Sequence, residues 1–557
     1  MNHLSSPDSF KVKEIERFAT VSKRSRRSFL LAATGAAGAL AAAPVLSSTR
    51  FQVSAQEPQA GGSLTVGLQS EPSDNIDPHR TPWAVSHNIM MHVFDTLVWQ
   101  DPGDGSFHPG LADSWEAAPD GMSYSFTLKS GVTFHDGTPF DGEAVKFSFD
   151  RIVDPETASG FSANLIGPYT ATEVVDAQNI TVTFSEPYAP FLDSLSQAFL
   201  GIVSPTAVEE FGDDFGVTAA AGTGPFMFSE WVRSDHLTLV KNPDYDWAGG
   251  LFLHTGPAYL DEIIFRFIPE DLTRSGTLES GETQLIELVP ASDVDILESA
   301  GYQILAGRAP GIPSVIQINL TKAPTDDPAV RRAIALATDK QAIIDAAYFG
   351  VYDPATSPLS GVSWAYNADT AALSVFDPDA AATELEAAGW LLNGDIREKD
   401  GAQLSLELIA TQNMIYAELW QSQLREVGIN VNIQIVDNGT WIEAGSTGGH
   451  NVTPIGWISS DPIILEHLYH SRNIGSGFNW SFIDDPAIDA LLDAGKASVD
   501  VEERRSSYGQ VQMLLLEQNA VLPIYDQIGY NGLAPNLHDV RTDARGWYRW
   551  LYDAWFE

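Results

Sequence analysis

Two short segments of the sequence combine side chains that could bind a metal or activate a nucleophile. Glu466-His467-Leu468-Tyr469-His470 places two histidines three residues apart on a predicted helix, whereas zinc proteases use histidines four residues apart. Phe134-His135-Asp136-Gly137 places a histidine beside an aspartate, but Asp-Gly is a typical turn pair and no motif positions a serine nucleophile. We therefore expect packed helix histidines in the first segment and a turn in the second.

Other signs of catalysis are missing from the sequence. It contains no Gly-x-Ser-x-Gly, no phosphate-binding loop ending in Gly-Lys-Ser/Thr and no Gly-x-Gly-x-x-Gly. It has no cysteine, which excludes disulfides, thiolate zinc sites, iron–sulfur clusters, cysteine nucleophiles and lipid attachment through cysteine. We expect a protein that is not an enzyme and uses neither metal nor cofactor.

The charge balance narrows the possible partners. The 557 residues include 31 Lys and Arg against 74 Asp and Glu, a net charge of −43. Nucleic-acid binding is excluded, because its affinity comes from basic side chains that neutralise phosphates. The apolar share of 44% indicates packed globular structure, and the length predicts two to four domains.

The first 55 residues are predicted to be an export signal. Arg26 and Arg27 precede an uncharged stretch rich in Ala and Gly, residues 28–49, and a small-residue cleavage site ends at Ala55. The segment Ser25–Leu30 resembles a twin-arginine signal. The alternative, an uncleaved membrane anchor, is less favoured because Ala and Gly make the stretch weakly hydrophobic. We expect a soluble periplasmic protein that is not a lipoprotein.

The rest of the chain predicts strands followed by alternating strands and helices. In the first half, short apolar runs predict strands at Ser63–Leu68, Tyr124–Leu128, Ile180–Phe184, Leu237–Val240 and Ile263–Ile268. In the second half, three Asp-Pro pairs (Asp327-Pro328, Asp377-Pro378 and Asp485-Pro486) each begin an amphipathic run. Helices are predicted at 328–349, 378–388, 414–427, 486–497 and 501–519, with strands at Ser314–Leu320, Leu404–Ile409 and Val431–Val436. Gly389 and Gly428 stand where helix C-caps are expected.

A series of blocks in fixed order resembles the family 5 extracellular solute-binding proteins of ABC importers. The longest is LADSWEAAPDGMSYSFTLKSGVTFHDGTPFDGEAVKFSFDR, from Leu111 to Arg151. The other blocks are Ile76–His79, Phe94–Val98, Gly222–Phe226, Lys241–Tyr245, Val330–Ile334, Ala387–Trp390, Leu424–Ile429 and Leu522–Tyr525. The resemblance spans about residues 60–530, and most of its residues, including Arg151, are interpreted as architectural.

The resemblance implies an α/β fold of the type II periplasmic-binding-protein class, with three domains in two lobes that close by a hinge. Domain I would comprise 56–93, 188–286 and 529–557, with domain II inserted at 94–187 and domain III at 287–528. The implied function is to capture a small solute between the lobes and deliver it to the permease transmembrane subunits, as a monomer.

Eight residues are expected near the ligand: Trp83, Phe226, Trp457, Ser460, Asp461, Asn479, Trp480 and Tyr525. The resemblance implies that peptide-binding members hold the peptide ammonium with an Asp at the position of Ser460. A buried ammonium without a carboxylate is costly, so Ser460 argues against ordinary peptides, although Asp461 could substitute. Opines, sugar conjugates and modified amino acids fit a site with polar side chains and aromatic rings.

Two alternatives stay open. One is a di- or oligopeptide-binding importer component. The other is an exported hydrolase on the same scaffold, for which the sequence supplies neither an evident nucleophile nor a metal site.

Overall fold

The computed structural model describes residues 57–557, so the predicted export signal, Arg26 and Arg27, and the cleavage site after Ala55 lie outside the described residues. Strands β1 to β25 are, in chain order, Ser63–Leu68, Val98–Gln100, Phe107–Pro109, Ala112–Ala117, Ser123–Leu128, Tyr169–Val174, Asn179–Phe184, Phe226–Val232, His236–Lys241, Glu262–Phe267, Leu285–Ile286, Gln303–Arg308, Gly311–Ile318, Leu391–Asn393, Ile396–Lys399, Ala402–Gln403, Ser405–Ala410, Asn430–Ile435, Val452–Ile458, Val521–Tyr525, Ile528–Leu533, Leu537–His538, Arg541–Thr542, Arg549–Trp550 and Trp555–Phe556. Helices α1 to α15 are Ala84–Met90, Gly142–Val153, Phe161–Leu165, Phe191–Leu195, Pro205–Phe211, Asp271–Ser280, Val294–Ser299, Pro328–Leu336, Lys340–Tyr348, Pro378–Ala387, Ala417–Glu426, Asn438–Thr447, Ile464–Tyr469, Pro486–Ala497 and Val501–Glu517.

The first lobe is built on a seven-stranded mixed sheet in the order β12-β21-β11-β1-β10-β9-β8. A four-stranded antiparallel sheet, β4-β5-β7-β6, is inserted into this lobe and packs against α2. Side chains alternate between buried and exposed along β5, as expected for a sheet with one face on the core. One continuous apolar core joins the two sheets.

The second lobe is built on a five-stranded sheet in the order β18-β17-β19-β13-β20. Its helices begin as the sequence predicts, because the side chains of Asp327, Asp377 and Asp485 accept hydrogen bonds from the first-turn amides after each Asp-Pro pair. Gly389 and Gly428 have φ values of 88° and 84°, so both adopt the left-handed conformation predicted for them.

The predicted helix over 328–349 is two helices, α8 and α9, with a break at residues 337–339. The Asp339 side chain caps α9 by accepting from the amide of Ala342. The Thr338 hydroxyl bonds back to the carbonyl of Ile334 at the end of α8. A second N-cap inside the amphipathic run therefore ends one helix and starts the next.

Two short segments connect the lobes. The chain leaves the first sheet after β12 and enters the second at β13, and it returns between β20 and β21. The segments lie side by side, because the amide of Ala309 donates to the carbonyl of Gln527 at 3.0 Å. The expected border at residue 287 comes too early, because β12 pairs with β21 in the first-lobe sheet.

Candidate ligand-binding site

A cavity of about 270 Å³ opens at one edge of the second-lobe sheet. β17, β18 and β19 run parallel to one another, while β13 is antiparallel to β19 and β20 is antiparallel to β13. The cavity lies where β17, β19 and β20 end and β13 begins. The connections to the first lobe attach at this same edge. Ligands of open α/β sheets bind at the carboxyl ends of strands, so we name this space the strand-end cavity.

The strand-end cavity has no charged residue in its lining. Its hydroxyl and amide side chains belong to Ser314, Thr411, Asn413, Asn438 and Gln527, and its aromatic rings to Tyr416, Trp441 and Tyr525. Met414, Pro454, Ile455 and Gly456 complete the wall. The chain has 74 acidic residues, but none of them lines this cavity. The cavity therefore offers no opposite charge to a charged group of a ligand.

Two of the aromatic rings are held in place by neighbours outside the cavity. The Tyr525 ring stacks on Tyr352 at 5.0 Å, and its hydroxyl lies 3.0 Å from that of Tyr348. The Trp441 indole nitrogen donates to the Thr453 hydroxyl at 2.9 Å, and its ring meets Trp480 edge-on at 4.7 Å. Rings fixed in this way offer apolar area with little loss of conformational entropy on binding.

The third ring carries a polar group without a partner. Tyr416 is 2% exposed, and no group within residues 57–557 meets its hydroxyl with hydrogen-bond geometry. Burial raises the pKa of this phenol, the neighbouring Tyr525 adds to the rise, and the nearby Ser314 side chain opposes it. A buried hydroxyl that lacks a partner costs stability, so a ligand that bonded to Tyr416 would recover this energy.

A second group of residues contains buried charged side chains and a hydrogen bond that links the two lobes. The hydroxyl of Ser460 in the second lobe donates to the carboxylate of Asp193 in the first. Asp461 is paired with Arg504 at 2.7 and 2.8 Å, and both side chains are buried. Arg545 lies close enough to Asp193 to influence its titration. We call these five residues the interlobe cluster.

A profile of the bacterial extracellular solute-binding proteins, family 5, matches residues 106–476. The chain belongs to this family. It is 28% identical to the probable di/tripeptide-binding protein 5 of Pseudomonas aeruginosa over 492 residues, 84% of this chain and 91% of the relative. It is 27% identical to the glutathione-binding protein GsiB of Salmonella typhi over 507 residues, 89% of this chain and 92% of the relative.

Solved structures confirm the expected fold. The periplasmic binding protein DppA of Helicobacter pylori, solved in complex with the peptide STSA, matches with a TM-score of 0.70 and 26% identity. The match covers 89% of this chain and 99% of that structure. The protein is thus a family 5 solute-binding protein with the type II periplasmic-binding-protein fold. No helix in the described part of the chain has the length and hydropathy to cross a membrane.

Of the eight residues expected near the ligand, the structure places only Tyr525 in the wall of the strand-end cavity. Trp457 lies in β19, partly buried, with its ring perpendicular to Phe478 at 5.0 Å and packed against an apolar core of the second lobe. Trp83 precedes α1 in the first lobe and is 51% exposed. Neither tryptophan lines this cavity.

Three of the expected ligand contacts are fully buried and contact other parts of the protein in this structure. Phe226 is a core residue that meets His92 edge-on. The side-chain amide of Asn479 donates to the carbonyls of His470 and Ile483, so it is used within the loop. Trp480 packs between Trp441 and Phe478, where it supports the cavity wall from behind.

The polar pair is also placed differently from the expectation. Ser460 contacts Asp193 across the lobes, and Asp461 is held by Arg504, so Asp461 is not free to replace the family carboxylate. Ser460 borders a separate cavity of about 100 Å³ between the lobes, near Trp364 and Gly105.

The candidate catalytic segments have structural roles. His135 is half-buried, with one ring nitrogen bonded to the carbonyl of Gly224 and the other to the amide of Gly222, and the loss of hydration lowers its pKa to about 4. His470 caps a short turn. Within residues 57–557 no three His, Asp or Glu side chains form a potential metal site. Arg151 is architectural, as expected, since it pairs with Asp77 and fixes the first-lobe loop before Trp83.

Sequence reasoning missed Thr411, Asn413, Tyr416, Asn438 and Trp441. All five follow the predicted strands Leu404–Ile409 and Val431–Val436 within a few residues. The rule that ligands bind beyond the carboxyl ends of strands could have found them. Applying the rule required knowing that these strands are parallel neighbours, which local patterns do not reveal.

Proposed function

We propose that this protein is the substrate-binding component of an ABC importer, which holds a small solute in the strand-end cavity and delivers it to the permease. The observation that carries the proposal is the position of the cavity. It lies at the edge of the second-lobe sheet to which both connections from the first lobe attach. Rotation of the lobes about those connections would cover or expose a ligand there, which is how hinge closure traps solutes.

The proposal keeps the three-domain arrangement, with the border between domain I and domain III moved from residue 287 to residues 309–310. Domains I and II would form the first lobe, and domain III the second. A ligand drives closure only as far as it binds the closed form more tightly than the open form. Contacts from both lobes are therefore needed, and the Ser460–Asp193 hydrogen bond is one direct link between them.

Closure is tested by small-angle X-ray scattering on the mature chain, with and without the ligand extracted from native protein. We expect a monomer whose radius of gyration falls when ligand is added. Mass spectrometry of the native protein identifies the bound molecule. A profile unchanged at saturating ligand would contradict the proposal.

Peptide binding is the main competing function, because relatives carry the names di/tripeptide-binding and glutathione-binding protein. It requires partners for the charged ends of a peptide, and the strand-end cavity supplies none. Calorimetry with a dipeptide library separates the two. A hydrolase would show turnover of peptides or esters, whereas we expect none.

We also propose export by the twin-arginine route into the periplasm, without a lipid anchor. The support is Arg26-Arg27 before a weakly apolar stretch and the absence of cysteine from the sequence. Replacing both arginines with lysine should retain the precursor in the cytoplasm. Normal export of that double variant would contradict the route without affecting the binding function.

A further inference from the structure

We infer that the strand-end cavity binds an uncharged ring that carries hydroxyl groups, the chemistry of a sugar residue. This inference rests on the proposed function and specifies its ligand class. It combines three observations on the cavity: a neutral lining, fixed aromatic rings, and polar groups that are open to a ligand or lack a partner.

The neutral lining disfavours charged ligand groups. An ammonium or carboxylate that enters the cavity loses its hydration, and the loss is recovered only when an opposite charge or several hydrogen bonds replace the water. None of the lining residues carries a charge. The adjacent carboxylate of Asp437 is already engaged, since it accepts from the amide and the hydroxyl of Thr440 as the cap of α12.

The polar groups of the lining match hydroxyls. The side chains of Asn413 and Asn438 are exposed to solvent and that of Thr411 is partly exposed, so all three are open to a ligand. The buried Tyr416 hydroxyl has no hydrogen-bond partner within residues 57–557. Hydroxyl and amide side chains both donate and accept, whereas an ammonium only donates and a carboxylate only accepts. A ligand hydroxyl also donates and accepts hydrogen bonds, so it can bond to each of these side chains.

The aromatic rings supply the remaining specificity. Trp441 and Tyr525 are held by contacts outside the cavity, so they present apolar faces in fixed positions. A sugar ring has an apolar C–H face and a rim of hydroxyls, and it can therefore pack on a ring while its rim bonds to amides. The cavity volume of about 270 Å³ is slightly below the range typical of pockets for drug-sized ligands, which suits one or two such rings.

The first test compares probes that differ in charge. Calorimetry on the mature protein would use the neutral disaccharides cellobiose and maltose, the zwitterionic dipeptide Ala-Ala, and Ala-Ala blocked as its N-acetyl amide. We expect at least one disaccharide to bind ten times more tightly than either form of Ala-Ala. Tighter binding of the zwitterion or of blocked Ala-Ala, or no binding of either disaccharide, overturns the inference. If the zwitterion binds and compacts the protein, the proposed function survives and only its ligand class fails.

The second test isolates the Tyr416 hydroxyl. Tyr416→Phe should weaken the tightest neutral probe about fivefold to tenfold, the effect of one lost hydrogen bond, without lowering the melting temperature. Tyr469→Phe is the matched control, because the Tyr469 hydroxyl is also buried and unpartnered within the described residues but lies in helix α13, away from the cavity. Equal affinities for Tyr416→Phe, Tyr469→Phe and the unchanged protein overturn the assignment of Tyr416 as a ligand contact.

Discussion

The interlobe cluster and the strand-end cavity both include residues from β19 or from the segment just after it, but their chemistry differs. The cluster buries two carboxylates and two guanidinium groups, at Asp193, Asp461, Arg504 and Arg545. The cavity presents hydroxyls, amides and aromatic rings. The difference indicates that charge here serves structure and lobe contact, whereas recognition of the solute depends on neutral hydrogen bonds and ring packing.

The largest expected effect is on stability, through Asp461. Asp461→Ala leaves the Arg504 guanidinium buried without its partner, and breaking a buried pair in this way costs about 3–5 kcal/mol of unfolding free energy. Urea unfolding followed by tryptophan fluorescence measures the loss. The control is Glu502→Ala, which removes an exposed partner of Arg505 at 3.4 Å and should cost less than about 1 kcal/mol. Similar losses in the two variants would contradict a structural role for the cluster.

Ser460→Asp tests whether the cluster brings the lobes together. It sets a second carboxylate against Asp193, and two like charges at about 4 Å repel by about 1 kcal/mol in water and about 4 kcal/mol near a protein surface. We expect the binding free energy of the ligand to weaken by about 1–4 kcal/mol and the radius of gyration measured by scattering to increase. Adding Asp193→Asn should restore both. Unchanged affinity in the single variant would show that the closed form does not need this contact.

The fold was predictable where a local pattern determined it. Strand β1 has the predicted bounds, Ser63–Leu68, because its apolar run is short and ends at turn residues. Helix α14 begins at Pro486, where Asp485 caps it. The break between α8 and α9 was missed, because Asp339 stands inside an amphipathic run that reads as continuous and only its cap contact separates the helices.

The site was less predictable, because burial depends on distant parts of the chain. Trp480 and Asn479 stand among glycines and polar residues, as loop residues near a ligand often do, yet Trp441 and the carbonyl groups of residues 470 and 483 enclose them. No local sequence pattern around Trp441 predicts that it lines a cavity. Its role follows from the parallel pairing of β17 and β18, which places α12 beside the strand ends.

Trp441→Ala tests the neutral cavity directly. Removing this ring should weaken the tightest neutral ligand by about 2 kcal/mol, roughly thirtyfold, as for a buried aromatic contact at an interface. Trp457→Ala is the comparison. The resemblance predicts at least a tenfold loss of affinity for Trp457→Ala, whereas its packing against Phe478 predicts a lower melting temperature with little change in affinity. Titration by calorimetry and thermal unfolding of both variants distinguish these outcomes.

The smallest expected effect is a dependence of affinity on pH that involves the titration of Asp193. Burial raises the pKa of Asp193 to about 6 from its ordinary value of 3.8; Arg545 opposes the rise and Asp461 adds to it. When the lobes separate, Ser460 and Asp461 move away and water reaches the carboxylate, so its pKa returns toward the ordinary value. Between about pH 4 and pH 6 the closed form therefore holds a proton that the open form does not, and closure weakens as pH rises through this window.

Affinity for a neutral, non-titrating ligand should accordingly be up to about tenfold higher at pH 5 than at pH 7.5. Calorimetry at both values measures it, and Asp193→Asn should remove the difference. A persistent slope in Asp193→Asn, or a slope of opposite sign in the unchanged protein, would contradict the assignment. The only titratable side chains in the strand-end cavity are tyrosines, which do not ionise in this range. A slope that disappears in Asp193→Asn would therefore separate the two regions: the cluster controls when the lobes close, and the cavity controls which solute they enclose.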